Sequence, residues 1–166
     1  LIQDSRVLAG HDVSAGGMIT ALMEMCFSNR EGGMEVDISG LPGTPENILF
    51  SEKPGLLLQV EDHHTLTALL EKEGILHHVI GRPVAEREIR LRTTAGVEIL
   101  PVNHYRDLWF RSSYLLDRRQ STEALATERY EHYKDHALHI RLKDFAGSFK
   151  ALGIDADRRS DSGVKA

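Results

Sequence analysis

The residues best suited to chemistry lie in one run near the start of the chain, His11-Asp12-Val13-Ser14-Ala15-Gly16-Gly17. Adjacent glycines at a helix start let the backbone come close to a ligand, and the free N–H groups of a first helical turn favour an anion. Asp12 supplies a hard carboxylate oxygen, the kind Mg²⁺ takes one or two at a time beside nucleotide phosphates. The Ser14 hydroxyl can donate to a phosphate oxygen or to a nucleotide. The same residue types also make an ordinary helix start, with Asp12 or Ser14 as the N-cap and the glycines serving a tight turn. From spacing alone that plain reading is the commoner one. No G-x-x-x-x-G-K-[ST] run occurs, so the loop is not a P-loop.

The remaining candidates carry less. His132 and His136 are spaced i, i+4 with Glu128 one turn earlier, but no third ligand can be named, and a solvated helix face is the better reading. His63-His64 and His77-His78 are adjacent pairs that should point apart, which makes each a poor chelate. Arg118-Arg119 could meet a phosphate and reads by default as surface charge. Cys26 lies mid-helix on an apolar face and Trp109 among apolar neighbours, so both are assigned to the core.

These residues sit in a chain of 166 residues with 41% hydrophobic side chains and a net charge of −5. That is enough apolar content for a packed core, which argues against disorder. The mildly acidic balance disfavours a phosphate-backbone footprint, so nucleic acid is not an expected partner. No apolar run approaches the roughly eighteen residues of a membrane span, and no membrane association is expected. A single cysteine excludes an internal disulfide framework and fits a reducing, cytoplasmic setting. Starting at Leu1 and stopping at Val164-Lys165-Ala166, the chain reads as a piece of a longer protein.

The elements that must hold the loop follow from periodicity. Leu1 to Ala9 is short and mixed and could finish a preceding helix. Met18, Ile19, Leu22, Met23, Met25, Cys26 and Phe27 recur at helical spacing, with Thr20, Glu24 and Ser28 as a thin polar stripe. Such a helix belongs between two layers, ending at Gly32-Gly33. Met34 to Ile38 alternates as a strand, and Pro45 to Phe50 makes a short helix. Gly55 to Val60 reads as a strand buried on both faces, and His63 to Glu73 as a helix closed by Gly74. Strands are expected at His77 to Val84, Glu88 to Thr93 and Val97 to Pro101, the last two joined by a turn at Thr94-Ala95-Gly96. A helix from Asn103 to Leu116 carries Leu108, Trp109, Tyr114 and Leu115 as its apolar positions, and a weakly amphipathic one runs from Ser121 to Tyr133. Leu138 to Leu142 is a short apolar–polar stretch, followed by charged loop. The order predicts an α+β fold, a mixed, antiparallel-rich sheet flanked by helices. The chain divides at about residue 116, into a compact domain (1–116) and a helical extension and linker (117–166).

Taken together, His11 to Phe27 with Glu24-Met25, then Phe50-Ser51-Glu52 and Gly55 to Val60, resemble phosphoribosylformylglycinamidine synthase. The matching region is the C-terminal subdomain that family shares with aminoimidazole ribonucleotide synthetase, in its second copy. Trp109, Arg111, Ser112 and Tyr114 look like the family's tryptophan-bearing helix after the last strand.

The resemblance implies the long single-chain form, with two ligase halves followed by a glutaminase domain. That enzyme makes formylglycinamidine ribonucleotide from formylglycinamide ribonucleotide, glutamine and ATP. A partly ferredoxin-like fold is implied, with Asp12 on Mg²⁺, Ser14 on ATP or ADP, and Gly16 and Gly17 at the nucleotide. Ala15 departs from the pattern, since many relatives carry a second acidic residue there. The implied partners are the other ligase subdomains and the glutaminase domain of the same chain, with the 117–166 segment leading toward the latter. Alone, the fragment is expected to be inactive, and a face normally covered by a missing subdomain could self-associate. A selenophosphate synthetase or hydrogenase-maturation relative, or a non-catalytic scaffold whose loop is only a cap, are the alternatives.

Overall fold

Because α1 (Gly17–Phe27) is apolar around most of its circumference, it has to be covered on several sides, and the rest of the fold is arranged to do so. The structure is a computed structural model that describes residues 6–134, within a unit spanning Leu1–Lys134. Before α1 comes β1 (Val7–Val13); after it come β2 (Gly33–Asp37), α2 (Pro45–Phe50), β3 (Gly55–Val60), α3 (His63–Lys72), β4 (Gly81–Val84), β5 (Glu88–Thr93), β6 (Gly96–Pro101), α4 (Val102–Gln120) and α5 (Glu123–His132). Strands β4-β2-β5-β6 form a four-stranded sheet, parallel only between β2 and β5, while β1 and β3 form a separate antiparallel ribbon. The architecture is the expected α+β arrangement of mixed sheet and flanking helices.

The core lies where α1 meets the inner face of the larger sheet. Ile19, Leu22 and Cys26 of α1 join Val36, Ile38, Ile89 and Leu91 of the β2–β5 region, with Leu49 and Val102 closing the sides. Strand alternation sends Glu35, Asp37, Arg82, Arg90 and Arg92 to the opposite face, where Arg82 bonds Glu35 at 2.9 Å and Arg92 lies 3.5 Å from Asp37. Helix α1 also touches β1, α2 and α4, so it is enclosed as its composition requires.

The back end of α1 is finished by side chains from far along the chain. The Arg87 Nη1 donates to the carbonyls of Cys26 and Gly32, both at 2.9 Å. The Arg106 Nη1 donates to those of Phe27 (3.5 Å) and Asn29 (3.3 Å), and both guanidinium groups share Asn103 Oδ1. A helix C-terminus offers unpaired carbonyls and a negative dipole end, which is what a buried cation needs. Arg106 is only 6% exposed. Burial, reinforced by the neighbouring Arg106 charge, pulls Arg87 below its ordinary pKa.

Several expectations need correction. Val7 to Ala9 does not finish a helix; it opens β1, because its backbone is laddered to β3 from Val7↔Val60 to Val13↔Gly55. The β3 strand is not buried on both faces, since the ribbon has one side uncovered and Leu56 is 72% exposed. The strand expected from His77 begins only at Gly81, where a Cβ would run into the Glu35 backbone. Helix α4 continues past Leu116 to Gln120, and its Leu108, Trp109 and Leu115 are about half exposed. Trp109 is therefore not a core residue; it meets Phe27 edge-on with ring centroids 6.3 Å apart. The stretch from Leu138 to Leu142 and His136 lie outside the described residues.

With little apolar stripe of its own, α5 is attached to α4 by aromatic stacking and polar bonds. Phe110 stacks on Tyr133 (4.2 Å) and Tyr114 on Tyr130 (4.6 Å). The Asp107 carboxylate accepts from Tyr133 Oη at 2.6 Å and from Lys134 Nζ at 2.8 Å, and Asp117 pairs with Arg129.

Candidate functional site

The loop from Asp12 to Gly17 joins the end of β1 to the start of α1, so its residues are held between the ribbon and the central helix. Asp12 is the penultimate residue of β1, opposite Leu56 in the ladder, and its side chain is 70% exposed. Ser14 is exposed in the turn that follows, and its carbonyl accepts from Gly17 N at 3.0 Å. Neither residue caps the helix. The N-cap is Gly16, in the left-handed region at φ 83°, without a side-chain cap bond. The Asp12 carboxylate and the Ser14 hydroxyl make no hydrogen bond among the described residues. The plain reading of both as caps is thus not what the loop shows.

The two glycines differ in what demands them. Gly16 is exposed and its N–H donates to Glu52 Oε1 at 2.9 Å, a carboxylate brought in from the α2–β3 connection. Gly17 is buried at φ 75°, where a Cβ would stand 2.5 Å from the Leu49 carbonyl oxygen and 2.8 Å from Phe50 Cα. Its lack of a side chain lets α1 lie directly on the end of α2. Both glycine N–H groups are engaged, so what they offer a ligand is close approach more than donors.

Besides Asp12, Ser14 and the glycines, the loop is lined by His11, which heads the same run, and by Thr20, Glu24 and Glu52 from outside it. His11 Nδ1 donates to the Asp12 carbonyl at 2.7 Å, and its Nε2 lies 3.2 Å from a Glu24 carboxylate oxygen. Thr20 Oγ1 donates to the Gly16 carbonyl at 3.1 Å. Glu24 and Thr20 are the polar stripe visible in the helix pattern, and its direction, toward the loop, was the available signal. Glu52 carried no periodic signal and entered only with the family resemblance, because nothing local joins it to Gly16.

Asp12 is one hard oxygen ligand, and among the described residues no three His, Cys, Asp or Glu side chains gather to hold a metal. The donor set fits a cation carried mainly by phosphate oxygens and water, as Mg²⁺ is beside a nucleotide, and does not fit an all-protein cage.

The other candidates resolve into structure. His132 Nδ1 donates to its own helix at the Glu128 carbonyl, 2.8 Å away. The His63 and His64 rings do not point apart; at the first turn of α3, beside the Asp62 cap, their centroids are 3.9 Å from each other. Arg118 pairs with Glu123 at 2.5 Å and lies over the Tyr114 ring, beside an open groove of about 550 Å³ at the α4–α5 turn. Cys26 is buried, and burial raises its thiol pKa, as for an inert core cysteine.

Comparison with known proteins agrees with the fold. The family model described as AIR synthase related protein, C-terminal domain, matches residues 1–94. Human phosphoribosylformylglycinamidine synthase is 31% identical over 134 residues, 77% of this chain and 10% of that protein. A Saimiriine herpesvirus 2 (strain 11) protein named probable membrane antigen 75 is 42% identical over 83 residues, 49% of this chain and 6% of its own length. Among solved structures, T. maritima PurL complexed with FGAR superposes with a TM-score of 0.53 at 21% identity, over 62% of this chain and 18% of that one. The same protein complexed with AMPPCP gives 0.52 at 22%, over 61% and 19%. The chain spans about a tenth of the human relative and under a fifth of the solved chains. With the family match covering more than half of its residues, the chain belongs to the AIR synthase related protein C-terminal domain family.

Proposed function

We propose that this chain is the C-terminal subdomain of the second ligase half of a long-form phosphoribosylformylglycinamidine synthase, and that its β1–α1 loop holds part of a Mg²⁺–nucleotide site. The observation that carries this reading is the placement of Asp12 and Ser14. Both stand exposed at the entrance to α1, with side chains that serve neither as cap nor as tether. The similarity to the human synthase, and T. maritima PurL having been solved with ATP, ADP and AMPPCP, support the choice of ligand. Residues 1–116 are the synthetase-like part in this reading, and 117–166 lead toward a glutaminase domain.

In this arrangement Asp12 would hold the cation through one carboxylate oxygen, and Ser14 would donate its hydroxyl to the nucleotide. Gly16 and Gly17 keep the loop free of side chains so that both can reach. When bound, Mg²⁺ neutralises phosphate charge, the main electrostatic demand of phosphoryl transfer. The chain's own contribution is positioning, by a loop braced from α1 and from Glu52. Ala15 leaves Asp12 as the loop's own carboxylate, so multi-metal coordination by this segment alone is not expected. The parent reaction, ATP-dependent amidation of formylglycinamide ribonucleotide with glutamine as nitrogen donor, needs the remaining subdomains, and the isolated chain is inactive. A purine-biosynthetic ligase of this kind works in the cytoplasm.

Calorimetric titration of MgADP into the intact polypeptide that carries this chain tests the reading. Asp12→Ala is expected to abolish one equivalent of Mg²⁺-dependent binding while changing stability by less than about 0.5 kcal/mol. Unchanged stoichiometry and affinity would reduce the loop to a turn.

A further inference from the structure

Asp12 is an exposed residue at the end of a two-stranded ribbon, a kind of sheet that is marginal by itself. Its carboxylate touches little, the neighbouring His11 Nδ1 standing 3.8 Å away. Where that carboxylate stands is therefore decided by its backbone. Two contacts determine where the backbone lies. The β1–β3 ladder pairs Asp12 with Leu56, and the His11 ring links the Asp12 carbonyl to Glu24, two turns into α1. The ladder ties the strand only to β3, whose outer face is open. The ring adds a side-chain tie to the helix that anchors the core, beside the packing of β1 on α1 and the turn bond from Gly17 N to the Ser14 carbonyl.

We propose that His11 and Glu24 are positioning residues for Asp12, forming a strut that registers the strand carrying the metal-directed carboxylate against α1. This rests on the nucleotide-site reading above and extends it to two residues that touch neither metal nor nucleotide. Both side chains are about three-quarters buried (28% and 26% exposed), so their contact is shielded from the solvent competition that weakens surface pairs. One imidazole spans the gap, its Nδ1 donating to the strand and its Nε2 standing 3.2 Å from the Glu24 carboxylate on the helix, so that a polar atom faces each element as in no aliphatic side chain. Glu24 also lies in line with Thr20, which holds the Gly16 carbonyl. The polar stripe of α1 thus grips the loop at both its ends.

The test uses the intact polypeptide, Glu24→Leu, Glu24→Gln and the distant core control Ile38→Val, with ADP and Mn²⁺ as an electron-spin-resonance probe for Mg²⁺. Wild type is expected to show a Mn²⁺–ADP signal that Asp12→Ala removes. Glu24→Leu is expected to weaken Mn²⁺ uptake about tenfold. Glu24→Gln, whose amide can still meet the ring, should restore most of it, and Ile38→Val should lower the melting temperature without changing Mn²⁺ affinity. His11→Asn serves as a second probe should Glu24→Leu fold poorly. Wild-type affinity in folded Glu24→Leu or His11→Asn would overturn the strut while leaving the nucleotide site standing. Weakening that tracks melting temperature across all variants, Ile38→Val included, would overturn it as well. A wild-type protein without the Mn²⁺–ADP signal would overturn both readings.

Discussion

Gly17 provides the sharpest test of how the loop is built, because its glycine is demanded by packing. A methyl group at Gly17 would stand 2.5 Å from the Leu49 carbonyl oxygen, 2.7 Å from Phe50 C and 2.8 Å from Phe50 Cα. These are backbone atoms, so no side-chain rotation relieves the overlap. Helices α1 and α2 would have to separate, a cost of about 1–3 kcal/mol for overpacking. The φ of 75° adds about 1–2 kcal/mol for a left-handed alanine. Gly17→Ala should thus destabilise by about 2–5 kcal/mol. Gly16→Ala shares the positive φ, but its methyl meets a side chain, the Thr20 hydroxyl, which can move aside only by giving up its bond to the Gly16 carbonyl, so about 2 kcal/mol is expected. Urea denaturation of the 166-residue chain, followed by helical circular dichroism, measures both. With an m-value of about 2 kcal/mol/M, Gly17→Ala lowers the midpoint by about 1–2.5 M, and Gly16→Ala by about 1 M. Equal losses, or a Gly17→Ala effect within about 0.5 kcal/mol of wild type, would refute the packing argument.

Two further outcomes follow from the same geometry. Burial pushes the Asp107 carboxyl upward, but the bonds from Lys134 and Tyr133 outweigh it and hold its pKa below the ordinary value. A folded value below the unfolded one, about 3.9, means that Asp107 contributes stability above that pH and loses it as acid titrates the folded carboxylate. The near-ultraviolet dichroism of the stacked tyrosines should report loosening of the α4–α5 pair below about pH 4, and Asp107→Asn should flatten that acid limb; an unchanged limb would refute the assignment. On the ribbon, Leu56→Ser should change stability by less than about 0.5 kcal/mol, whereas Ile89→Ala, at 1% exposure, should cost about 2–5 kcal/mol. Comparable losses in thermal denaturation would mean that Leu56 is buried after all.

How far the sequence was legible depended on whether a signal was local. The helix pattern of Met18 to Phe27 and the strands around Val36 and Leu91 were readable because periodicity records which side chains face a core. The first strand was not: Val7 to Val13 mixes apolar residues on both parities with Ala9, Gly10 and Asp12, and its pairing partner lies past residue 54. The Gly55 to Val60 run misled in the other direction, since apolar side chains do not reveal whether anything covers them. Trp109 failed for the same reason. At the site, Asp12, Ser14 and the glycines stood together in the sequence. The contacts from Glu24 and Glu52 cross between elements, and only folding reveals them.

The arginine clasp on α1 also bears on the order of folding. The carbonyls at the back of that helix find their donors 55 to 79 residues downstream, on Arg87 and Arg106. Closing loops of that length before any contact rewards them is slow, and it raises the share of non-local contacts that governs folding rate. During synthesis the helix and its loop will already be outside the ribosome while these partners are still unmade. The last turn of α1 therefore settles late, after residue 106 has emerged, although the loop's own partners, Glu52 and β3, are made by residue 60. Truncations that end before α4 should leave α1 frayed at its last turn, even though every residue of the loop is present.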